Sequence, residues 1–247
     1  MHHEIDLADV PRLTRDDGLC AWAAQDGARA WADGTAVAVA APGLSLRDRL
    51  VVHGERDALV PLVRAVFDEI GATYRPLGAP ELVRALGDGI DGLAVLGEFA
   101  WMERRAGETA TATGGGRKDA EWLEPADDAH IAALIDDVFP DSYARPGIPG
   151  VLRWAGIRGA DGRPAAVAAE AWSAPAMGFL SGVAVDRTAR GAGLGRRVCG
   201  FLVDAILAER GRVGLMVDDW NAPAERLYRK LGFTYRRLAA AAMTQPG

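Results

Sequence analysis

The sequence predicts an α/β or α+β fold, with helices flanking a mixed sheet, and three observations support this. In the second half of the chain, strand-like and helical patterns follow in the order β, β, β, α, β, α, β, which excludes a helical bundle. A length of 247 residues suits two compact units. Near the middle, "AGETATATGGGRKDA" contains no large apolar side chain that could be buried. We therefore expect two domains joined by a flexible linker.

We place this linker at residues 107–120, between an N-terminal lobe of residues 1–106 and a C-terminal domain of residues 121–247. The lobe begins with a helix-like stretch. Its later elements are predicted from apolar periodicity and flanking Gly or Pro. Two strands at "GTAVAVAAP" and "DRLVVHG" are followed by a helix that ends at Gly71, a helix at "PELVRAL" and a strand at "GLAVLGEFAWMERR". No chemical motif occurs in this half.

The C-terminal domain begins with a helix at "DDAHIAALIDDVF", whose apolar residues form one stripe. Three strands are predicted next, at "VLRWAGIRG", "PAAVAAEAW" and "GFLSGVAV". A helix face then runs from Leu194 to Gly211. The last three elements are a strand, a helix and a strand, at "VGLMV", "NAPAERLYRKLG" and "FTYRRLAAAAM".

Composition and charge exclude several classes of function. The net charge of −6 argues against general nucleic-acid binding, which needs a broad basic surface. No apolar run approaches the roughly 20 residues of a membrane span, and the start lacks a secretory signal, so we expect a cytoplasmic protein without a membrane partner. Cys20 and Cys199 are far apart and lack metal-ligand spacing, so we predict neither a disulfide nor a metal site.

The stretch "DRTARGAGLGRRV" places three glycines at alternate positions, Gly191, Gly193 and Gly195, between a predicted strand and a helix start. In such a turn backbone N–H groups converge on an anion, which predicts a pyrophosphate site. A dinucleotide fingerprint is excluded because Arg196 stands where GxGxxG needs its last glycine. The ATP-binding loop is excluded because its GK[ST] ending is missing.

The spacing Arg190-x-x-Gly193-x-Gly195 in "GVAVDRTARGAGLGRRV" resembles the acetyl-CoA loop of the GCN5-related N-acetyltransferases. Downstream, "LMVDDWNAPAERLYRKLGF" is similar to that family's second signature. The resemblance covers about residues 120 to 240, and "WAGIRGADGRPAAVAAEAW" points to the FR47-like branch. The N-terminal half resembles a degenerate second copy without a glycine loop, so one CoA site per chain is expected.

The resemblance implies an acyltransferase that moves an acetyl group from acetyl-CoA to a primary amine by direct attack in a ternary complex. The backbone of Val183, Ala184 and Val185 would pair with the pantetheine arm. The pyrophosphate would be held by the Arg190 side chain and by backbone N–H groups; these belong to Gly191, Gly193, Leu194, Gly195 and Arg196. Asn221 would contact the cofactor.

Tyr228 matches the family's general acid. A phenol with a pKa near ~10 is protonated at neutral pH and can give its proton to the departing CoA thiolate. The motif does not fix the general base. Glu170 is the candidate, because an acid within the apolar strand "AVAAEAW" either faces water or has a functional role. Asp218 and Asp219 are weaker candidates, since turn or cap roles suit them.

Two other functions stay open. One is an amino-acid N-acyltransferase of the glycine type that uses a longer acyl-CoA, and the other is a CoA-binding sensor or assembly protein without turnover. The acceptor would be a small-molecule or peptide amine, for which "PDSYARPGIPG" and the N-terminal lobe are the candidate recognition regions. We expect a monomer or a homodimer.

Overall fold

The computed structural model describes residues 2–108 and 119–244. These residues form two compact units. The first comprises the chain up to Trp101, Val217–Trp220 and the residues from Arg236 onward; the second comprises Met102–Met216 and Asn221–Tyr235. Most of the predicted linker lies outside the described residues, so the domain boundaries placed beside it stay a prediction.

Twelve strands and seven α-helices are present among the described residues. The strands are β1 (His3–Ile5), β2 (Arg29–Asp33), β3 (Ala36–Leu44), β4 (Arg47–His53), β5 (Arg75–Gly78), β6 (Leu93–Arg105), β7 (Ala120–Trp122), β8 (Val151–Arg158), β9 (Pro164–Ala171), β10 (Gly178–Val185), β11 (Arg212–Val217) and β12 (Thr234–Met243). The helices are α1 (Val10–Leu13), α2 (Gly18–Ala23), α3 (Arg56–Ile70), α4 (Pro80–Gly89), α5 (Asp128–Val138), α6 (Leu194–Arg210) and α7 (Ala222–Lys230).

In the first unit the strand order is β1-β2-β3-β4-β5-β12-β6. Strands β1 to β4 pair antiparallel, whereas β4 and β5 are parallel because α3 crosses between them. The apolar face predicted for α3 is buried in the core of this unit, where it joins residues from the sheet; its members include Leu59, Leu62, Val63, Val66 and Phe67.

In the second unit the strand order is β6-β11-β10-β9-β8-β7, with only the last residues of β6 belonging to this unit. Strands β7 to β10 pair antiparallel. Strands β10 and β11, which precede and follow α6 in the chain, pair in parallel. Helices α5 and α6 pack against β9 and β10. Gly178 allows the close approach of α6, since a Cβ there would overlap the side chain of Ile206.

The chain repeats one succession of elements. The order β2, β3, β4, α3, β5, α4, β6 recurs as β8, β9, β10, α6, β11, α7, β12, with the same antiparallel and parallel pairings among the first four strands of each set. The mixed α/β fold predicted from the sequence is confirmed. Within the described ranges, no helix is both long and apolar enough to cross a bilayer.

Candidate functional site

The site begins at an irregularity in β10. Leu180 and Ser181 pair with Glu170 and Ala169 of β9, but the next pair is Ala184 with Val167, so the register shifts and the strand contains a β-bulge. Gly182 lies in this bulge with a φ of 60°, and a Cβ there would lie 2.8 Å from Cη2 of Trp154. Both the left-handed backbone and this contact require glycine.

Beyond the bulge, one edge of β10 is open. Its parallel pairing with β11 covers Gly178 and Phe179 at the start of the strand. Ala184 and Val185 pair with β9 on the other side. Among the described residues, no strand pairs with the β11-facing edge at these two positions, so the backbone groups that point to this edge can hydrogen-bond an extended ligand.

The loop after β10 exposes bare backbone. Asp186 caps a short 3-10 turn, because its carboxylate accepts a hydrogen bond from the Thr188 N–H at 2.8 Å. Gly191 and Gly193 follow with φ values of 82° and 75°. Both are exposed, and the space where their Cβ atoms would lie contains no atom within 4 Å. An anion can therefore approach this backbone closely.

The loop ends at the N-terminus of α6, a helix of 17 residues. Gly193 occupies the N-cap position, and no side chain caps the helix. The N–H groups of the first helical residues, Leu194, Gly195 and Arg196, have no intrahelical acceptor. Together with the positive end of the helix dipole, they form an anion-binding geometry.

Two of the four loop arginines are available to an anion. Arg187 pairs with Asp137 at 3.2 Å, and Arg197 pairs with Asp119 at 3.2 Å. Arg190 and Arg196 are exposed and form no hydrogen bond or ion pair with any residue that the structure describes. Arg190, whose side chain the sequence resemblance placed at the pyrophosphate, is thus one of the two; Arg196 was placed there only through its backbone N–H.

Tyr228 lies on α7 and is 7% exposed. Its ring packs against Phe233, with the ring centroids 5.8 Å apart. Burial raises the pKa of this phenol well above its usual range, and the neighbouring Cys199 thiol adds to the effect. The phenol therefore stays protonated at neutral pH, as a proton donor must.

Cys199 on α6 is not a nucleophile. It is a free, fully buried thiol, and burial raises its pKa to about 12. A thiol in this state is inert at neutral pH, so the described residues supply no reactive cysteine next to Tyr228.

Asn221 has a local structural role in addition to the predicted one. It is the N-cap of α7, and its Oδ1 accepts a hydrogen bond from the Ala224 N–H at 3.2 Å. This cap fixes the start of the helix that carries Tyr228 two turns later. The side-chain amide N–H groups of Asn221 have no partner within the described chain. Contact with a cofactor stays a prediction.

The contacts of Glu170 favour a structural role over that of the predicted general base, and the catalytic role stays a prediction. The side chain is 1% exposed, and both carboxylate oxygens accept charged hydrogen bonds, from Arg153 Nε at 2.8 Å and from Arg210 Nε at 2.9 Å. Ser173 Oγ also donates to it at 2.9 Å. These contacts are those expected of a buried, ion-paired carboxylate.

Sequence reasoning missed Gly182. The available signal was a glycine inside a strand pattern, which indicates a bulge or a close backbone approach. The bulge turns the end of β10 away from regular pairing, so Gly182 positions the residues predicted to contact pantetheine.

The family comparison covers the segment that contains this site. Residues 155–240 match the family model described as FR47-like protein. This segment is an FR47-like domain, related to the GCN5-related N-acetyltransferases. The matched range contains β10, the glycine loop, α6 and Tyr228. The resemblance to the FR47-like branch predicted from the sequence is confirmed for these residues.

Several solved structures have the same fold as this chain. A GCN5-related N-acetyltransferase from Kribbella flavida is 18% identical, with a TM-score of 0.63 and 96% of each chain covered. A putative acetyltransferase of this family from Novosphingobium aromaticivorans is 22% identical, with a TM-score of 0.52 and 85% of this chain and 88% of that one covered.

A third, from Sphaerobacter thermophilus, is also named a GCN5-related N-acetyltransferase. It is 15% identical, with a TM-score of 0.53 and 98% of this chain and 94% of that one covered. Comparison with curated proteins finds no match.

Proposed function

We propose that the chain is an N-acetyltransferase that transfers an acetyl group from acetyl-CoA to a primary amine by direct attack in a ternary complex. One observation carries the proposal: within an FR47-like domain, a helix N-terminus without a side-chain cap follows exposed glycines. Arg190 and Arg196 stand beside it and have no ion-pair partner among the described residues.

The described residues fit acetyl-CoA. The diphosphate would lie at Arg190 and the amides of the glycine loop, where the space beside Gly191 and Gly193 is open. The pantetheine arm would extend along the free edge of β10, next to Ala184 and Val185. Asn221, at the start of α7, would contact the same ligand.

The first unit supports the expectation of one CoA site per chain. At the equivalent place between β4 and α3, the connection is only Gly54 and Glu55. A Cβ at Gly54 would overlap the backbone of Thr35, so the Thr35 backbone occupies the space beside this turn. The open backbone found at Gly191 and Gly193 therefore has no counterpart there.

Acetyl-CoA, when bound, supplies an acetyl group activated as a thioester. Backbone N–H groups on the open edge of β10 can stabilise negative charge that develops on the carbonyl oxygen. Tyr228 holds a proton at neutral pH and can deliver it to the sulfur that leaves. With Glu170 tied to two arginines, we assign removal of the proton from the amine to solvent rather than to that carboxylate.

The test is CoA-thiol release from acetyl-CoA, butyryl-CoA and benzoyl-CoA, each with simple amines, glycine and a peptide amine. We expect release with acetyl-CoA that depends on the amine. Preference for a longer acyl group with glycine would support an amino-acid N-acyltransferase instead. Binding of acetyl-CoA without release from any donor would indicate a CoA-binding sensor. A cytoplasmic location and a monomeric or homodimeric state stay proposals.

A further inference from the structure

The exposed large apolar side chains of the second unit are concentrated in one segment, residues 139–152, which connects α5 to the start of β8. Within the described part of that unit they are Phe139, Tyr143 and Leu152. Exposed apolar side chains that form one patch mark binding surfaces, and these three share one short segment of the chain.

Contacts on either side of this segment place it next to the glycine loop and the bulge. Just before it, Asp137 is bound by Arg187, the first residue of the 3-10 turn that begins the loop. In its middle, the Cβ of Ala144 is 3.0 Å from the position that a Cβ of Gly182 would occupy. The middle of the segment, at Ala144, therefore packs against the bulge of β10.

The far end of the segment is held by Trp172. The indole N–H donates to the Pro149 carbonyl at 3.1 Å, and the backbone N–H donates to the Gly150 carbonyl at 2.6 Å. Trp172 has a φ of 49°, a left-handed conformation that is unusual for a bulky residue. Such conformations persist where the surroundings enforce them. The exposed side chains thus stand on a segment that is fixed at both ends.

The segment also carries a free carboxylate. Asp136 pairs with Arg145 at 2.6 Å, and Asp137 pairs with Arg187. Asp141, by contrast, is exposed and forms no ion pair or hydrogen bond with any residue in the described ranges. Its charge lies between Phe139 and Tyr143 in the chain. A negative charge among apolar side chains complements a cation with an apolar body.

We propose that residues 139–152 select acceptor amines that carry an apolar or aromatic body. Asp141 attracts the ammonium form of the amine, and Tyr143 and Leu152 contact the body. This inference rests on the proposed acetyl transfer, because it assigns the acceptor to the end of β10 at which the acetyl group would lie.

The test compares two primary amines with the same two-carbon arm, 2-phenylethylamine and ethanolamine. We expect wild-type kcat/KM to favour 2-phenylethylamine. Leu152→Ser should lower kcat/KM for that amine about tenfold, since it removes apolar contact area, and leave ethanolamine unchanged. Asp141→Asn should lower kcat/KM for both amines about threefold at low salt, with a smaller effect at high salt.

Matched controls come from the first unit. Leu96 is 58% exposed, close to the 55% of Leu152, so Leu96→Ser makes the same chemical change elsewhere. Asp26 is exposed, and Asp26→Asn controls for the loss of one surface charge. Neither control should alter the preference between the two amines. Equal kcat/KM for both amines in the wild type, or equal effects of Leu152→Ser and Leu96→Ser, would overturn the inference.

A second readout separates this inference from the proposed function. Binding of 2-phenylethylamine is followed by ligand-observed NMR in the presence of CoA, without turnover. Binding that Leu152→Ser weakens supports the inference even if no thiol is released, and in that case the acetyl-transfer proposal alone fails. Absence of binding overturns the inference.

Discussion

Replacing Tyr228 by Phe lowers kcat for acetyl transfer about 10²- to 10⁴-fold, the range expected when a general acid is lost. The substitution removes only the hydroxyl, so the packing of the ring against Phe233 is retained. The dissociation constant for acetyl-CoA should change by no more than about twofold, because the hydroxyl is needed only when the proton moves. Single-turnover kinetics and calorimetric titration measure the two quantities separately.

The pH dependence follows from the raised pKa of Tyr228. An acid whose pKa lies above that of a free phenol, near ~10, keeps its proton throughout the neutral and mildly alkaline range. We therefore expect no loss of wild-type kcat from ionisation of this tyrosine up to about pH 10.

Glu170→Gln is the control for Tyr228→Phe, because both positions were predicted to be catalytic. Its carboxylate is bound by Arg153 and Arg210, so neutralising it should lower the melting temperature by several degrees, which corresponds to about 2 kcal/mol. Its kcat should stay within about twofold of wild type. If Tyr228→Phe were as active as wild type, or Glu170→Gln were the slower variant, our assignment of the two residues would be wrong.

Replacing Gly193 by Asp weakens acetyl-CoA binding at least about 100-fold. The new side chain fills the open space beside the loop and places a negative charge against the diphosphate. Folding should be affected little, because an acidic residue at a helix N-terminus is favourable and offsets part of the cost of the left-handed backbone. Calorimetric titration with acetyl-CoA and thermal unfolding measure the two effects.

Two variants separate charge from backbone strain. Gly193→Asn adds a side chain of nearly the same shape without charge, and Asn tolerates a left-handed φ, so it should bind acetyl-CoA more tightly than Gly193→Asp. Gly211 ends the same helix with a φ of 72°, and Gly211→Asp should leave affinity unchanged although it strains the backbone similarly. Unchanged affinity in Gly193→Asp would place the cofactor elsewhere.

Much of the second unit could be predicted because its signals are local. The glycine loop is recognisable from the spacing of Arg190, Gly193 and Gly195, since each residue acts through the backbone or charge next to it. The same holds for α6, whose apolar stripe ends at a C-cap glycine. The three strands before the loop were predicted within about one residue of their observed ends, because each is apolar and bounded by turn residues.

What could not be predicted depends on partners that are distant in sequence. The arginines that bind Glu170 are 17 and 40 residues away, so an acid in an apolar strand does not reveal whether it is paired or reactive. The strands that were not predicted, β1, β2, β5 and β7, have three to five residues each. They are too short to show alternation, and pairing with neighbouring strands defines them.

The most direct test of the central claim is an amide NMR titration of the ¹⁵N-labelled protein with CoA. Our account predicts saturation at one CoA per chain, with the largest shifts at the loop glycines, at Leu194 to Arg196 and at Ala184 and Val185. The glycine loop, the start of α6 and the open edge of β10 are where the structure leaves backbone groups available to a ligand. Shifts confined to the first unit, or no saturable binding, would contradict the assignment of this loop as the CoA site.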